Sequence, residues 1–184
     1  TAGTILYRKE MSPIAAKNFL FRTQKTLRIL VGVYVVLTAA ETLCLLICGL
    51  DLFDAVTHSF GTIATGGFST KNASIAHFKS LPAEIVVMVF MILSGIHFGV
   101  LFAAASGKME EAWKSPVLRY YLAALALGIS LTALNLHGDL YKGWGEAFRH
   151  AAFQVISVGT STGFATADSS VWPPFAQLLL IYFT

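Results

Sequence analysis

The sequence predicts an all-α membrane protein in which one helical unit occurs twice. Three observations lead there. Hydrophobic residues make up 55% of the 184 and charged residues 12%, with a mean hydropathy of +0.67; a water-soluble domain carries about 25% charge. Three stretches, Ile29–Leu50, Ile85–Ala105 and Val117–Leu136, are apolar and long enough to cross about 30 Å of hydrocarbon as helices. Two polar, glycine-bearing stretches interrupt the apolar sequence: "TIATGGFST" (Thr62–Thr70) and "TSTGFATAD" (Thr160–Asp168). They lie 96 residues apart, counted from Gly67 to Gly163.

Residues 1–28 carry six basic side chains (Arg8, Lys9, Lys17, Arg22, Lys25, Arg28) and no cleavable apolar region, which predicts a cytoplasmic N-terminal segment. The first span follows. Its Cys44 and Cys48 supply neither a disulfide framework nor enough ligands for zinc. Glu41 is the one carboxylate inside a full span. An acid at that depth costs about 2.5–3.5 kcal/mol, so it reads as a functional group; bracing a neighbouring short helix is favoured over direct contact with an ion.

Leu52–Gly61 comes next. It is semi-apolar, too short to cross, and runs into the first glycine stretch. Irregular backbone in lipid costs several kcal/mol for each unpaired peptide group and is tolerated only where protein or water surrounds it. The segment therefore dips into the membrane and returns. After the second span, residues 106–116 form a cytoplasmic loop. The third span, with Arg119 snorkelling to the interface, leads through a second short stretch, Ala147–Val158, into the second glycine motif. Val171–Thr184 begins a fourth span but holds only 14 residues, which predicts a piece of a longer protein.

Residues 29–105 thus form one unit and 117–184 most of another, shortened in its last helix. With two dips, nine basic residues lie on the cytoplasmic side and four (Lys71, Lys79, Lys142, Arg149) outside. The likeness extends to sequence. "FSTKNAS" (Phe68–Ser74) matches "FATADSS" (Phe164–Ser170), and "DAVTHSF" echoes "EAFRHAAF" with four extra residues before the second motif. Similarity at a fixed period signals a repeat architecture.

Potassium-channel filters carry the sequence TVGYG, whose backbone carbonyls replace an ion's hydration shell. Thr65-Gly66-Gly67-Phe68 and Ser161-Thr162-Gly163-Phe164 resemble its first four positions. A hydroxyl residue offers an oxygen, the glycine permits left-handed dihedrals, and the aromatic wedges the strand. The short helix before it points its partially negative C-terminus at the ion path, which favours a cation. The fold expected is therefore a potassium-channel-like unit of outer helix, re-entrant pore helix, filter strand and inner helix, present twice.

On these residues, with "SGIHF" (Ser94–Phe98) in the inner helix, the chain resembles the TrkH/KtrB (Trk/Ktr/HKT) group of potassium transporters over essentially its whole length. The two motifs are similar to the filters of that family's second and third repeats, and the resemblance implies that the chain holds about two of four such repeats. The resemblance implies a pore-forming subunit for K+ uptake at the cell's inner membrane, with K+ at the filter residues and no covalent cofactor. It also implies a homodimer with a cytoplasmic nucleotide-binding regulatory subunit. Ser69 and Ala165 stand where TVGYG has its second glycine. Asp54 and Asp168 are supporting candidates for concentrating cations at the outer mouth, and serve equally well as plain caps.

Competing readings are weaker. "GTSTG" (Gly159–Gly163) matches a nucleophile elbow, but that motif needs a strand before it and a helix directly after. The histidines are not placed for haem, a net charge of +3 without a basic run does not suit nucleic acid, and an enzyme is not expected. Asn72-Ala73-Ser74 is a weak glycosylation pattern. The alternative with most in its favour is an ion-coupled secondary transporter. Such folds also use repeats and broken helices, but their repeats are often inverted and these run parallel.

Overall fold

The computed structural model describes residues 13–105, 107–138 and 140–184. They form eight α-helices: α1 (Pro13–Ile47), α2 (Leu52–Ile63), α3 (Leu81–Gly95), α4 (Phe98–Ala105), α5 (Met109–Lys114), α6 (Pro116–Leu136), α7 (Trp144–Gly159) and α8 (Pro174–Phe183). Short 3₁₀ turns, Ser74–Phe78 and Ser169–Val171, follow the two glycine stretches, and among the described residues there is no β-strand.

Residues 1–12 of the predicted N-terminal segment lie outside the described residues; residues 13–28 continue α1, so the first span is the distal part of a 35-residue helix. Gly49, at φ +93°, ends it. The Gly49 N–H bonds the Leu46 carbonyl and the Leu50 N–H the Leu45 carbonyl, a Schellman arrangement that satisfies carbonyls the helix leaves open. The chain then reverses into α2, and α1 packs along it. In the second unit α6 and α7 make the corresponding pair. The short helix α7 has 16 residues against 12 in α2. The four extra residues seen in the sequence are therefore one additional helical turn.

The inner span predicted as Ile85–Ala105 is not continuous. It starts earlier, at Leu81, where the Ser80 side chain accepts from the Ala83 N–H, and it breaks between Gly95 and Phe98. Ile96 turns extended (φ −69°, ψ 133°) and its N–H bonds Leu93 rather than Ile92. The Tyr121 hydroxyl, from α6, donates to the released Ile92 carbonyl at 3.1 Å. Hydropathy does not register the break, because the residues on both sides are apolar. The predicted 106–116 loop also differs: it contains α5, and Ser106 lies outside the described residues.

Two buried clusters hold the fold. One is largely the second unit's own, built from Leu125, Ala133, Leu136, Ala151, Val155 and Leu180 among others. The other joins the units: Leu45, Ala55, Val87 and Met91 of the first pack with Phe153, Ile156 and Phe164 of the second. That shared cluster brings the two glycine stretches together.

Candidate ion-conducting filter

Each short helix ends by bonding the extended strand that follows it, and both copies do so in the same way. The Gly61 carbonyl accepts from the Gly66 N–H at 2.8 Å and the Gly67 N–H at 3.1 Å; the Ser157 carbonyl accepts from Thr162 at 2.8 Å and Gly163 at 3.3 Å. Thr65 bonds back to Thr62 at 3.0 Å and Ser161 to Val158 at 2.8 Å. The strand N–H groups thus occupy carbonyls that a helix C-terminus leaves unsatisfied. Among the described residues no group donates a hydrogen bond to the carbonyls of Thr65–Phe68 or of Ser161–Gly163. Unpaired backbone carbonyls at membrane depth are costly unless something else coordinates them.

The geometry needs left-handed residues at two places in each strand. Gly67 (φ +61°) and Gly163 (φ +92°) were legible as such. Thr65 (φ +49°) and Ser161 (φ +56°) are left-handed too, at the helix exit, although neither is glycine. Holding a non-glycine residue there stores strain of order 1–3 kcal/mol. The same shape appears twice, so the backbone and not the side chain at that position is what repeats.

The two strands touch. A Cβ at Gly67 would lie 2.1 Å from the Thr162 carbonyl oxygen and 2.9 Å from its carbon, whereas nothing lies within 4 Å of one at Gly163. Phe164 is 1% exposed, wedged against the first unit's short helix 5.7 Å from the His58 ring. A Cβ at Gly61 would meet that ring at 3.0 Å. The expectation that both aromatics act as wedges needs correction for Phe68, which is 81% exposed among the described residues.

Side chains from the short helices hold the strands from behind. The buried His58 bonds the Asp54 carbonyl through Nδ1 at 2.7 Å, so Nδ1 carries the proton; Nε2 faces the Ser69 hydroxyl at 2.8 Å. In α7, Ser157 Oγ donates to the Phe164 carbonyl at 2.6 Å and accepts from the Gly163 N–H at 3.1 Å. Gln154 donates to the Ala167 carbonyl at 2.8 Å, and His150 faces the Thr166 hydroxyl at 3.4 Å. The units are stitched together directly as well: Ala165 accepts from the Ala76 N–H at 3.3 Å and donates to Ser74 Oγ at 3.2 Å.

Of the supporting candidates, Asp54 is already engaged. Lys71 Nζ is 3.0 Å from its carboxylate and Thr70 donates to it. Burial alone would push its carboxyl up, but the hydrogen bonds from Thr70 and Lys71, with the Lys71 charge, outweigh that and hold it at about 2. Asp168 is a cap: its Oδ1 accepts from the Ser170 N–H at 2.9 Å, and the Ser170 bonds hold its carboxyl below the usual range. Glu41 is wholly buried, and neither of its carboxyl oxygens has a hydrogen-bond partner.

Sequence reasoning also missed an ionic contact between the two units. Arg149 of α7 forks onto Glu84 of α3 through Nε and Nη2, each 2.7 Å from a carboxylate oxygen. Glu84 is 2% and Arg149 35% exposed at the side chain. The pair locks the second short helix to the first unit's inner helix. No local pattern announces it, because the partners are 65 residues apart.

Two parallel units, each turning a short helix into a carbonyl-exposing strand and meeting strand to strand, define a helical membrane transport protein of the channel-like, pore-loop class. The chain belongs to the TrkH family of cation transport proteins, whose model matches residues 1–134. It is 36% identical over 182 residues to the "Trk system potassium uptake protein TrkH" of Escherichia coli K12, covering 97% of this chain and 38% of that protein. To TrkG of the same organism it is 32% identical, with 37% of that protein covered. The crystal structure of the potassium transporter TrkH from Vibrio parahaemolyticus superposes with a TM-score of 0.82 at 34% identity, covering 94% of this chain and 36% of that one. This is a family of membrane transporters and not of enzymes. The chain spans little more than a third of the length of these relatives.

Proposed function

We propose that this chain forms part of the pore-forming subunit of a Trk-type potassium uptake system. On this reading K+ passes a filter lined by the backbone carbonyls of Thr65, Gly66, Gly67 and Phe68 and of Ser161, Thr162, Gly163 and Phe164. The observation that carries it is the pair of matching strands whose N–H groups are tied to the helix ends while the carbonyls of Thr65–Phe68 and Ser161–Gly163 accept no hydrogen bond among the described residues; the Phe164 carbonyl is held by Ser157. A row of such carbonyls replaces the water around a desolvated cation. The C-terminal ends of α2 and α7 add partial negative charge.

Residues 29–105 and 117–184 are then two pore repeats, joined by a cytoplasmic connection at 106–116, in a multi-pass protein of the inner membrane with its N-terminal segment cytoplasmic. The names of the relatives speak of a system, which supports partners in general; the partners proposed, from the family resemblance, are a second copy of the subunit and a cytoplasmic nucleotide-binding regulator. Asp54 and Asp168 shape the outer mouth, Asp54 through its bond to Lys71 more than through unpaired charge.

The test is rubidium uptake by the full-length transporter carrying this chain, expressed in cells without other potassium uptake and challenged with potassium or sodium. Potassium should compete and sodium should not. Equal competition by both ions, or no saturable uptake from protein present in the membrane, overturns the reading.

A further inference from the structure

Ser157, near the end of α7, is wholly buried, and its hydroxyl bonds the following strand at two places that straddle Gly163. Oγ accepts from the Gly163 N–H at 3.1 Å and donates its one proton to the Phe164 carbonyl at 2.6 Å. The serine's own carbonyl also accepts from Gly163, at 3.3 Å. At the matching position the first unit has Gly61. Its carbonyl repeats the backbone bonds, but it has no hydroxyl, and among the described residues the Phe68 carbonyl accepts no hydrogen bond. A Cβ at Gly61 would lie 3.0 Å from the Phe164 ring and 3.0 Å from the Phe68 carbonyl oxygen.

The two bonds of the hydroxyl fix two peptide groups in opposite senses. In a planar trans peptide the N–H and the C=O point opposite ways. With its N–H held against α7, the Thr162–Gly163 peptide turns the Thr162 carbonyl outward, to the side where Gly67 of the first strand lies against it. The Phe164–Ala165 peptide is reversed. Its carbonyl faces α7, and its N–H points away, to where Ser74 Oγ of the first unit accepts it at 3.2 Å. The left-handed Gly163, at φ +92°, lies between the two groups. One peptide is thus held from both sides, by a serine of each unit.

We propose that Ser157 is a positioning residue that sets the length of the second filter strand. It holds the Phe164 carbonyl against α7, so the strand offers an ion the carbonyls of Ser161, Thr162 and Gly163 and withholds the fourth. The proposal rests on the filter reading above and narrows its lining by one oxygen. A carbonyl aimed at a hydroxyl proton is aimed away from the ion path. In the first strand no hydroxyl holds the Phe68 carbonyl, so the outermost level of the filter is unequal between the units. Ser74 acts from the other side and keeps the Phe164–Ala165 peptide from turning over.

Competitive rubidium and sodium uptake by the full-length transporter tests it. Loss of folded protein lowers both uptakes together and leaves their ratio; release of the fourth carbonyl changes the ratio. Ser157→Ala should lower the rubidium-over-sodium preference several-fold, up to about tenfold for one hydrogen bond. Ser74→Ala should lower it in the same direction. Because both serines hold one peptide, the double variant should be no worse than Ser157→Ala alone, where independent sites would multiply. A wild-type ratio in Ser157→Ala, or multiplied effects in the double variant, overturns the proposal and leaves the filter reading intact. No preference in the unsubstituted transporter overturns the filter reading, and the proposal with it. Should Ser157→Ala fail to reach the membrane, Ser74→Ala decides: a wild-type ratio there overturns the proposal.

Discussion

Gly67→Ala is the substitution the geometry condemns most clearly. The new methyl carbon would lie 2.1 Å from the Thr162 carbonyl oxygen, where ordinary contact begins at 3.4 Å. One filter strand must therefore retreat from the other by about 1.3 Å. At φ +61° alanine also carries the left-handed penalty of about 1–2 kcal/mol. Relief of both strains moves the same atoms, because on the proposed reading the Thr162 carbonyl is one of those that coordinate the ion. A tenfold change in ion preference takes only about 1.4 kcal/mol. Gly67→Ala should thus lower rubidium-over-sodium preference by at least about tenfold, with the protein still present in the membrane. Gly163→Ser is the control. Its Cβ meets nothing within 4 Å, so only the backbone strain at φ +92° acts. It should reduce the preference by about tenfold or less. The assay is competitive rubidium and sodium uptake in cells or liposomes, normalised to transporter detected in the membrane. An unchanged ratio in Gly67→Ala would refute the contact between filters and the role given to it.

Three further outcomes are expected. Arg149→Ala strands a buried carboxylate at Glu84 and should cost about 3 kcal/mol. Glu84→Ala leaves a guanidinium that still reaches solvent and should cost less; thermal unfolding in detergent would show the order. For Asp54, the folded-state value of about 2 lies below the ordinary 3.8. Its bonds to Lys71 and Thr70 therefore stabilise the fold above about pH 4, and the contribution disappears as pH falls through 2. Asp54→Asn should flatten that part of the acid-stability profile; an unaltered profile counts against the Lys71 and Thr70 contacts. Finally, in a background lacking Cys44 and Cys48, a cysteine at Lys79 should react with an impermeant thiol reagent on intact cells and one at Lys108 should not. The reverse pattern would exclude the re-entrant topology.

The sequence alone determined the class of element and the repeat. Span lengths, the two semi-apolar stretches too short to cross, and the glycine motifs at matched positions are local properties, set by hydrocarbon thickness and by backbone that lipid does not solvate. The left-handed glycines were legible for the same reason, since only glycine adopts φ above zero without strain.

Tertiary structure decided whatever depends on two distant segments meeting. The inner helix breaks after Gly95 because Tyr121 of another helix takes the Ile92 carbonyl and because the backbone there runs against Tyr121 and Thr160; apolar residues on both sides hide this from hydropathy. Among the described residues Phe164 is wedged and Phe68 is exposed, although their motifs match, because Phe164 packs against the other unit's short helix at His58 and Gly61. Asp54 reads in sequence as a cation-concentrating acid or a plain cap and pairs with Lys71 in space, and Glu84 and Arg149 find each other across 65 residues. Periodicity and composition carry the short-range terms of the folding free energy. Which carbonyl, ring or charge ends up beside which is set by packing between units, and no single stretch of sequence contains both partners.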